Sequence, residues 1–354
     1  MQDYLNRIKG LMVPMSRTLI EALRTMDSMK TKTLFVFEED IFKGLLTIGD
    51  IQRAIISGAN LNQIISEIID NNKIYASTND SEASIKESME RLRAQYMPIL
   101  DSHGELVDVA FWSDYYKRDR TQGKLQVPVP VVIMAGGKGT RLSPLTNVIP
   151  KPMIPVGDKT IIEEIMDQFE CIGCKEFFVS VNFKVDILKF YLDNLNHKYN
   201  ITLFKEDRPL GTIGSVSLLK GKVKTPFFVS NCDILIDQDL SEVYNYHVSN
   251  RNDITLITAI KSFMIPYGVI ETGSEGLMTG LHEKPEETYM INTGVYVLNP
   301  ELIDEIPDRQ FFHITDLIER VKDRKGRVGC FPISENAWKD MGEWPEYLKM
   351  INVL

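Results

Sequence analysis

Short apolar runs and amphipathic segments alternate along the chain from residue 131 onward. Four runs have the length and composition of strands: Val131–Met134, Glu176–Val181, Ile201–Phe204 and Phe227–Ser230. Three segments between them have helical spacing: Ile161–Ile172, Val185–Leu195 and Thr212–Leu219. This alternation predicts an α/β fold with a largely parallel sheet covered by helices. Because ligands of such sheets bind at the carboxyl ends of the strands, chemistry is expected there.

The first part of the chain contains one pattern twice. Each copy has a helix, a strand of about five residues, a tight turn, a second strand and polar residues directly after that strand. The pattern repeats with a period of about 50–60 residues. The segments are Thr18–Met29, Thr33–Phe37 and Gly44–Ile51, and then Ser84–Gln95, Met97–Leu100 and Leu106–Ala110. Residues 116–130 are charged and carry glycine and two prolines without apolar periodicity, which is typical of a linker. The sequence therefore predicts a tandem pair over 1–118 (about 1–66 and 67–118), a linker over 119–129 and an α/β domain over 130–354.

The composition sets limits on partners and location. The chain has 354 residues, 44% of them hydrophobic and 25% charged, which is ordinary for a soluble protein. No apolar run approaches the ~20 residues that span a membrane, and the N-terminus lacks the basic and then apolar pattern of a secretory signal. The net charge of −9 argues against a nucleic-acid partner. We expect a cytoplasmic protein that binds neither membrane nor nucleic acid and forms a homo-oligomer.

The four cysteines fit a reducing compartment. Cys171 and Cys174 form a C-x-x-C pair, but no second pair or nearby histidine completes a zinc site. We interpret this pair as a helix end followed by a turn at Gly173.

A glycine-rich loop with cations follows the first strand of the α/β part. The stretch reads Ala135-Gly136-Gly137-Lys138-Gly139-Thr140-Arg141-Leu142-Ser143-Pro144-Leu145-Thr146. Glycines let backbone N–H groups approach a ligand closely, and Lys138, Arg141 and the nearby Lys151 add positive charge. The expected ligand is a polyphosphate. The spacing matches neither a Walker A loop nor the dinucleotide fingerprint.

The run Gly-Gly-x-Gly-Thr-Arg-Leu-x-Pro-Leu-Thr, followed by Lys151-Pro152, resembles the opening motif of the sugar-phosphate nucleotidyltransferases, in their mannose-1-phosphate guanylyltransferase-like branch. These enzymes make a nucleotide-sugar and pyrophosphate from a nucleoside triphosphate and a sugar 1-phosphate. The resemblance covers roughly residues 128–354 and implies a Rossmann-like domain with a mixed, mainly parallel sheet. Two further motifs follow in the order that the family has: Asn231-Cys232-Asp233 and Trp338-Lys339-Asp340-Met341-Gly342. Their aspartates, Asp233 and Asp340, would hold Mg²⁺.

The resemblance also implies a nucleotide site. It would comprise the loop residues Ala135, Gly136, Gly137, Lys138, Gly139, Thr140 and Arg141, and, from a segment that closes over the base, Glu206, Gly211 and Thr212. Glu206 stands where the base edge is read. A carboxylate only accepts hydrogen bonds, and guanine offers two adjacent donors, so this position favours GTP. The alternative is that Glu206 is a solvated loop residue that contacts nothing.

Later strands supply a sugar pocket in similar enzymes. Its members here would be Gly268, Glu283, Lys284 and either Asn292 or Thr293. The residues implied in catalysis are Arg141 for the β- and γ-phosphates, Lys151 for the α-phosphate, Lys284 for the sugar phosphate, and Asp233 and Asp340 for the metal.

The N-terminal repeat resembles a tandem pair of cystathionine-β-synthase (CBS) domains, which often bind adenine nucleotides in the cleft between them. In that family a hydroxyl and an aspartate at a strand exit hold the ribose. The first copy has Thr47 and Asp50, whereas the second has Phe111 and Asp114 and lacks the hydroxyl. The module therefore either binds an adenine nucleotide or serves dimerisation or docking.

The favoured function is a guanylyltransferase that makes a GDP-sugar for surface-glycan biosynthesis, and the sequence does not select the sugar. Two alternatives stay open. One is a CTP- or UTP-dependent nucleotidyltransferase that acts on another phosphate acceptor. The other is a catalytically silent protein that senses nucleotide-sugars.

Overall fold

In the computed structural model the chain divides into two units, Met1–Thr121 and Gln122–Leu354. The structure describes residues 3–70, 72–92, 94–112, 124–195 and 198–351. Within those residues, no helix combines the length and the apolar character that crossing a bilayer would require.

The first unit contains two copies of one three-stranded arrangement. Its helices are α1 (Asp3–Ile8), α2 (Leu19–Ser28), α3 (Ile48–Ile56) and α4 (Glu82–Leu92), and its strands are β1 (Met12–Pro14), β2 (Thr33–Glu38), β3 (Ile41–Thr47), β4 (Ala76–Ser77), β5 (Tyr96–Leu100) and β6 (Leu106–Phe111). The two sheets have the orders β1-β2-β3 and β4-β5-β6. In each sheet the first pair of strands is parallel and the second antiparallel. The predicted helix and the two main strands of each copy are present, while the short strands β1 and β4 carried no sequence signal.

The two copies share one core. Phe35 and Leu45 from the first copy belong to the same buried cluster as Val109 and Phe111 from the second. The ring of Tyr96 lies 5.5 Å from the ring of Phe35 and 5.6 Å from that of Phe111. Because this cluster takes apolar side chains from both copies, each copy buries apolar surface against the other, and the copies stabilise each other.

The second unit is built on a seven-stranded sheet. Its strands, with three short two-stranded pairs included, are β7 (Val131–Met134), β8 (Pro155–Val156), β9 (Lys159–Thr160), β10 (Glu176–Val181), β11 (Asn200–Lys205), β12 (Phe227–Asn231), β13 (Ile234–Ile236), β14 (Ile254–Met264), β15 (Val269–Thr272), β16 (Met278–His282), β17 (Glu286–Leu298), β18 (Val328–Ser334) and β19 (Trp338–Asp340). The order in the main sheet is β11-β10-β7-β12-β17-β14-β18. Only β17 runs antiparallel to its neighbours, β12 and β14, so the sheet is mixed and mainly parallel, as predicted.

Both faces of the sheet are buried, which explains why its central strands are continuous apolar runs. In β7, Val131 and Ile133 enter one core while Val132 enters the other. The helices that cover the faces are α5 (Ile161–Cys171), α6 (Val185–Asp193), α7 (Leu240–Ser249), α8 (Ile314–Asp323) and α9 (Trp344–Ile351). The cysteines are free, with Cys171 exposed and Cys174 buried.

One predicted helix is different in the structure. The segment Thr212–Leu219 forms only a 3₁₀ helix over Gly214–Leu219. The chain before it is held against another loop, because the backbone N–H groups of Ile213 and Gly214 both donate to the carbonyl of Phe312 at 3.2 Å. The carbonyl of Phe312 is thus an external acceptor for N–H groups at the start of the 3₁₀ helix, and its position on a distant segment fixes where this helix begins.

Candidate functional site

The glycine loop lies at the carboxyl end of β7, which is near the centre of the sheet. Gly139 has φ +67°, and a Cβ there would stand 2.9 Å from Cγ2 of Thr146 and 3.0 Å from Cβ of Lys151. The hydroxyl of Thr146 also donates to the carbonyl of Gly139 at 2.9 Å. The loop is therefore folded back onto the segment that carries Lys151, and only glycine fits at its turn.

The tip of this loop is open. Gly137 would place a Cβ with no atom within 4 Å, and Lys138 and Thr140 are exposed. Ala135 at the base of the loop is buried. Backbone N–H groups and a cation are thus available to a ligand at the tip, while the base is anchored in the core.

Two aspartates are brought together from segments about a hundred residues apart. Asp233 follows β12, and Asp340 ends β19. The short strands β13 and β19 pair antiparallel with Ile234 opposite Asp340, and the N–H of Met341 donates to the carbonyl of Asp233 at 2.8 Å. Backbone hydrogen bonds therefore fix the distance between the two carboxylates.

Lys151 completes a buried charged group with these carboxylates. Its Nζ donates to Oδ2 of Asp233, and both residues are buried, each 8% exposed. Burial, and next the negative charge of Asp233, raise the pKa of Asp340 above its ordinary value. Asp340 Oδ1, Asp233 Oδ2 and Lys151 Nζ all lie within 3.0 Å of the point where a Cβ on Gly342 would stand.

This cradle fits a small divalent cation. A positive ion between the two carboxylates would offset the charge repulsion that Asp233 exerts on Asp340, and Mg²⁺ prefers one or two carboxylates with the rest of its shell from phosphate and water. In the part of the chain that the structure describes, no three or more His, Cys, Asp or Glu side chains are arranged so that they could hold a metal ion. A closed metal site made of protein ligands alone is therefore absent there.

Arg141 points to the same region from the glycine loop. Its Nη1 donates to Oε1 of Glu343 at 2.8 Å, and both side chains are 56% exposed. The bond to Glu343 raises the pKa of Arg141. The Nε1–H of Trp344 donates to the carbonyl of Ser143 at 3.2 Å, so the segment after Asp340 holds the loop from outside. An exposed pair contributes only about 0.2–1 kcal/mol, so Arg141 can exchange Glu343 for phosphate at little cost.

Glu206 lies beneath the glycine loop and is only 4% exposed. Its Oε1 accepts from the hydroxyl of Ser180, and its Oε2 accepts from the N–H of Leu210 at 3.2 Å. A Cβ on Gly136 would stand 2.8 Å from Oε1. The alternative of a solvated residue without contacts is therefore wrong, because the carboxylate links the strand end, the 206–210 loop and the glycine loop.

Gly211 and Thr212 serve the packing of the 210–214 loop. Gly211 has φ +81°, and a Cβ there would stand 2.5 Å from the carbonyl oxygen of Phe312. The Thr212 hydroxyl accepts from the N–H of Ile314 at 2.9 Å, at the start of α8. The requirement for glycine at 211 thus comes from a neighbour a hundred residues away.

Of the residues assigned to the sugar, Asn292 and Thr293 lie on β17, whereas Gly268 lies in the turn before β15 and Glu283 and Lys284 lie in the turn between β16 and β17. A Cβ on Gly268 would stand 3.0 Å from Oε2 of Glu283, and Glu283 and Lys284 are exposed. Lys284 forms no ion pair within the described residues, and its φ is +46°. Thr293 is 2% exposed, and its hydroxyl donates to the carbonyl of Ile257 at 2.8 Å. Of the two residues considered for the polar wall, only Asn292 is exposed.

In the first unit, Thr47 and Asp50 form the capping box of α3. Asp50 is buried and accepts from the N–H and the hydroxyl of Thr47, at 2.7 and 2.8 Å, and from Arg53 and Lys73. Burial alone would raise the pKa of Asp50, but the hydrogen bonds from Lys73 and Thr47 lower it below its ordinary value. Asp114 lies outside the described residues.

Sequence reasoning missed several partners of these site residues. Glu343 pairs with Arg141, Ser180 with Glu206, and Lys73 with Asp50. The two residues of these pairs are 202, 26 and 23 positions apart along the chain, respectively. None of these partners belongs to a periodic pattern or a recognised spacing. Only Glu343 could have drawn attention, since it directly follows the Trp338–Gly342 run.

The second unit is thus an α/β protein in which a glycine loop, two carboxylates and a lysine lie together at the carboxyl ends of the strands of a mixed sheet. The chain belongs to the nucleotidyl transferase family, whose family model matches residues 130–354. Proteins of this family commonly use a divalent metal.

Named relatives agree with this family. The chain is 32% identical over 225 residues to a mannose-1-phosphate guanyltransferase of Yarrowia lipolytica, which is 61% of this chain and 61% of that relative. The chain thus matches about three fifths of the length of the curated relatives.

Two solved structures share the fold. HddC from Yersinia pseudotuberculosis has a TM-score of 0.50 and 24% identity, and the match covers 64% of this chain and 99% of that one. A putative glucose-1-phosphate thymidylyltransferase from Bacillus anthracis has a TM-score of 0.51 and 19% identity, with 64% and 94% covered.

Proposed function

We propose that the second unit transfers a nucleoside monophosphate from a nucleoside triphosphate, with GTP preferred, to a sugar 1-phosphate. The products are a nucleotide-sugar and pyrophosphate, for surface-glycan biosynthesis in the cytoplasm. The observation that carries this proposal is the convergence of Lys151, Asp233 and Asp340 beside an open glycine loop. The guanyltransferase names of relatives at about 30% identity support the choice of reaction.

The charges of the site suit this reaction. A sugar 1-phosphate oxygen attacks the α-phosphorus in line, and the bond from the α-phosphorus to the bridging oxygen of pyrophosphate breaks. The attacking oxygen is already ionised, so the protein need not supply a general base. Two anions must be brought together while negative charge grows on the leaving group, so positioning and neutralisation provide the catalysis.

Each cation has a separate task in this proposal. Arg141, Lys138 and the N–H groups of the loop bind the β- and γ-phosphates. Lys151 neutralises the α-phosphate, for which its buried pair with Asp233 holds it in place. Lys284, whose ammonium is exposed and unpaired among the described residues, binds the sugar phosphate. A divalent metal on Asp233 and Asp340, with Mg²⁺ preferred, would supply further positive charge to the phosphates.

Specificity comes from the two sides of the site. On the nucleotide side, Glu206 lies beside Gly136 and accepts hydrogen bonds only, which favours the adjacent donors of guanine. On the sugar side, Asn292 lies on β17, and Gly268 and Glu283 lie in the turns at the two ends of the β15–β16 hairpin. The hydroxyl of Thr293 is buried against Ile257, so we leave it out of the sugar wall.

The test is a panel of nucleoside triphosphates against several sugar 1-phosphates and phosphocholine, read by pyrophosphate release. We expect release with GTP and a sugar 1-phosphate. Faster release with CTP or UTP, or with phosphocholine, would replace the proposal with the alternative transferase. Binding of nucleotide-sugar without pyrophosphate release from any pair would identify a silent sensor.

For the first unit we propose a CBS pair over residues 1–118, joined by the linker 119–129 to the transferase over 130–354. The repeat of parallel and antiparallel strand pairs supports it. Asp50 already accepts four protein donors, including the half-buried Lys73, so we favour assembly over adenine-nucleotide binding. Homo-oligomerisation through this module remains part of the proposal.

Calorimetric titration of ATP, ADP and AMP into the full chain tests this assignment. We expect no heat with the wild type. Saturable heat with any of the three, lost in Asp50→Ala, would instead assign a nucleotide site to Thr47 and Asp50.

A further inference from the structure

Gly342 is a glycine that its backbone does not require. Its φ lies outside the left-handed region, unlike that of Gly139, Gly211 or Gly294. Alanine would therefore be compatible with the local conformation. A Cβ at this position would nevertheless stand 2.7 Å from Oδ1 of Asp340, 2.8 Å from Oδ2 of Asp233 and 3.0 Å from Nζ of Lys151.

The three nearest atoms are all charged groups. A Cβ on Gly211, in contrast, would meet three backbone atoms of Phe312. Around Gly342, two carboxylate oxygens and one ammonium converge on the volume that a side chain would fill. Two carboxylates attract a cation, and the ammonium attracts an anionic oxygen that such a cation carries. The volume therefore suits a divalent cation together with the oxygens that complete its shell.

The carboxylates cannot readily move away from a methyl group. The pairing of Ile234 with Asp340 and the hydrogen bond from Met341 to Asp233 fix the two backbones. The N–H of Gly342 itself holds Oδ1 of Asp340 at 2.7 Å. A side chain at 342 would have to displace either the ion or one of its ligands.

We propose that Gly342 is a space-making residue for the metal site: its missing side chain leaves the room in which a divalent cation binds between Asp233 and Asp340. This inference rests on the proposed metal site of the transferase. It assigns Gly342 a positioning role, since the residue contributes no ligand and acts through the volume it leaves free. Its signature is that Gly342→Ala weakens metal binding although both aspartates are still present.

The experiment measures Mn²⁺ binding to the full chain without substrates, from the free-ion signal in electron paramagnetic resonance. The test variant is Gly342→Ala, and Asp340→Asn checks that the observed ion occupies this site. The matched control is Gly49→Ala, because Gly49 also has an ordinary φ and its nearest neighbour is the flexible end of Arg53 at 3.3 Å. Circular dichroism and thermal melts without metal report the fold of each variant.

We expect Gly342→Ala to bind Mn²⁺ about 10- to 100-fold more weakly, the scale on which residues around the ligands affect metal affinity. Asp340→Asn should lose binding similarly, Gly49→Ala should bind like the wild type, and all should fold. Wild-type affinity in Gly342→Ala would overturn the inference. So would an unfolded Gly342→Ala in the absence of metal, an unchanged Asp340→Asn, or a wild type that binds no Mn²⁺.

The result is independent of the proposed reaction. A wild type that releases no pyrophosphate, but shows this pattern of Mn²⁺ binding, would refute the transferase and leave the role of Gly342 intact. Metal-dependent pyrophosphate release together with normal Mn²⁺ binding in Gly342→Ala would do the reverse.

Discussion

Replacement of Glu206 by glutamine separates base recognition from the structural work of this side chain. The carboxylate accepts from Ser180 and Leu210 and lies under Gly136. Glutamine keeps one acceptor oxygen and replaces the other by an NH₂ donor. Because the N–H of Leu210 can only donate, the remaining oxygen has to face Leu210. The amide NH₂ then faces the Ser180 hydroxyl, which can rotate and donate to the hydroxyl of Ser215, 3.1 Å away.

The expected loss of stability is therefore small. The N–H of Leu210 and the hydroxyl of Ser180 both keep an acceptor, so the main loss is the extra strength of charged hydrogen bonds, about 1 kcal/mol. For a unit of this size that corresponds to a fall of about 2–4 °C in the melting temperature. Glu206→Ala, in contrast, leaves the N–H of Leu210 unpaired in the interior and should cost about 1–3 kcal/mol more.

The effect on nucleotide use should be larger and selective. If Glu206 accepts from guanine, the variant presents a donor to the base's own donors. Loss of a hydrogen bond to a charged group, about 1.5–3 kcal/mol, lowers kcat/KM for GTP by about 10- to 100-fold and leaves UTP or dTTP less affected. The assay is pyrophosphate release with each nucleotide at a fixed sugar 1-phosphate.

Asp207→Asn is the matched control, because the neighbouring carboxylate of Asp207 is 77% exposed and pairs with Arg309 on the surface. It should change neither the stability nor the nucleotide profile. An unchanged profile in Glu206→Gln would mean that the base is read elsewhere. A parallel loss with every nucleotide would show that Glu206 only holds the loops together.

Three further predictions concern charge. Arg141→Lys keeps the charge but loses the planar guanidinium fork, so the loss of transition-state stabilisation that kcat/KM reports should be about 2–4 kcal/mol. Steady-state kinetics measure this loss. A loss confined to the KM of the sugar phosphate would contradict the prediction. Asp233→Asn should lower turnover by orders of magnitude. It should also lower the melting temperature, because the buried Lys151 loses its charged partner. If the wild-type protein keeps its full rate in excess chelator, the metal requirement behind this prediction is wrong. Burial lowers the pKa of His247 below its ordinary value near 6.5, so folding favours the neutral ring. The stability that the neutral ring contributes above pH 6.5 is lost as the pH falls below that value. Urea unfolding at pH 7.5 and 5.5 should show a weaker pH dependence in His247→Gln, and equal dependence in both proteins would refute this origin.

The sheet was predictable because burial on both faces leaves an unbroken apolar signal. The predicted runs 131–134 and 176–181 match β7 and β10 in both bounds, and 201–204 and 227–230 fall inside β11 and β12. The local pattern did not predict that β17 runs antiparallel, because strand direction is set by which neighbours pair and leaves no mark in a local pattern. The 3₁₀ helix at 214–219 was missed for a similar reason, since its start is determined by the carbonyl of Phe312.

The motifs located the candidate site, but they did not give its partners. Their order along the chain pointed to Lys151, Asp233 and Asp340, and the structure brings these three together. The motifs said nothing of Glu343, which pairs with Arg141, or of Lys73, which neutralises Asp50. A charged residue on a loop has no periodicity, so only the folded chain shows whether a predicted ligand-binding group is already occupied by the protein itself.

The glycines show why a motif letter and a physical role are different things. Gly139 and Gly211 need a positive φ and also lie against neighbouring atoms, so their conformation and packing both require glycine. Gly342 has an ordinary φ and faces only charged atoms, so neither backbone strain nor apolar packing explains its lack of a side chain. In the sequence all three appear simply as glycines next to charged residues. The atoms that an added Cβ would meet distinguish them, and at Gly342 those atoms are the carboxylates and the ammonium on which the proposed chemistry depends.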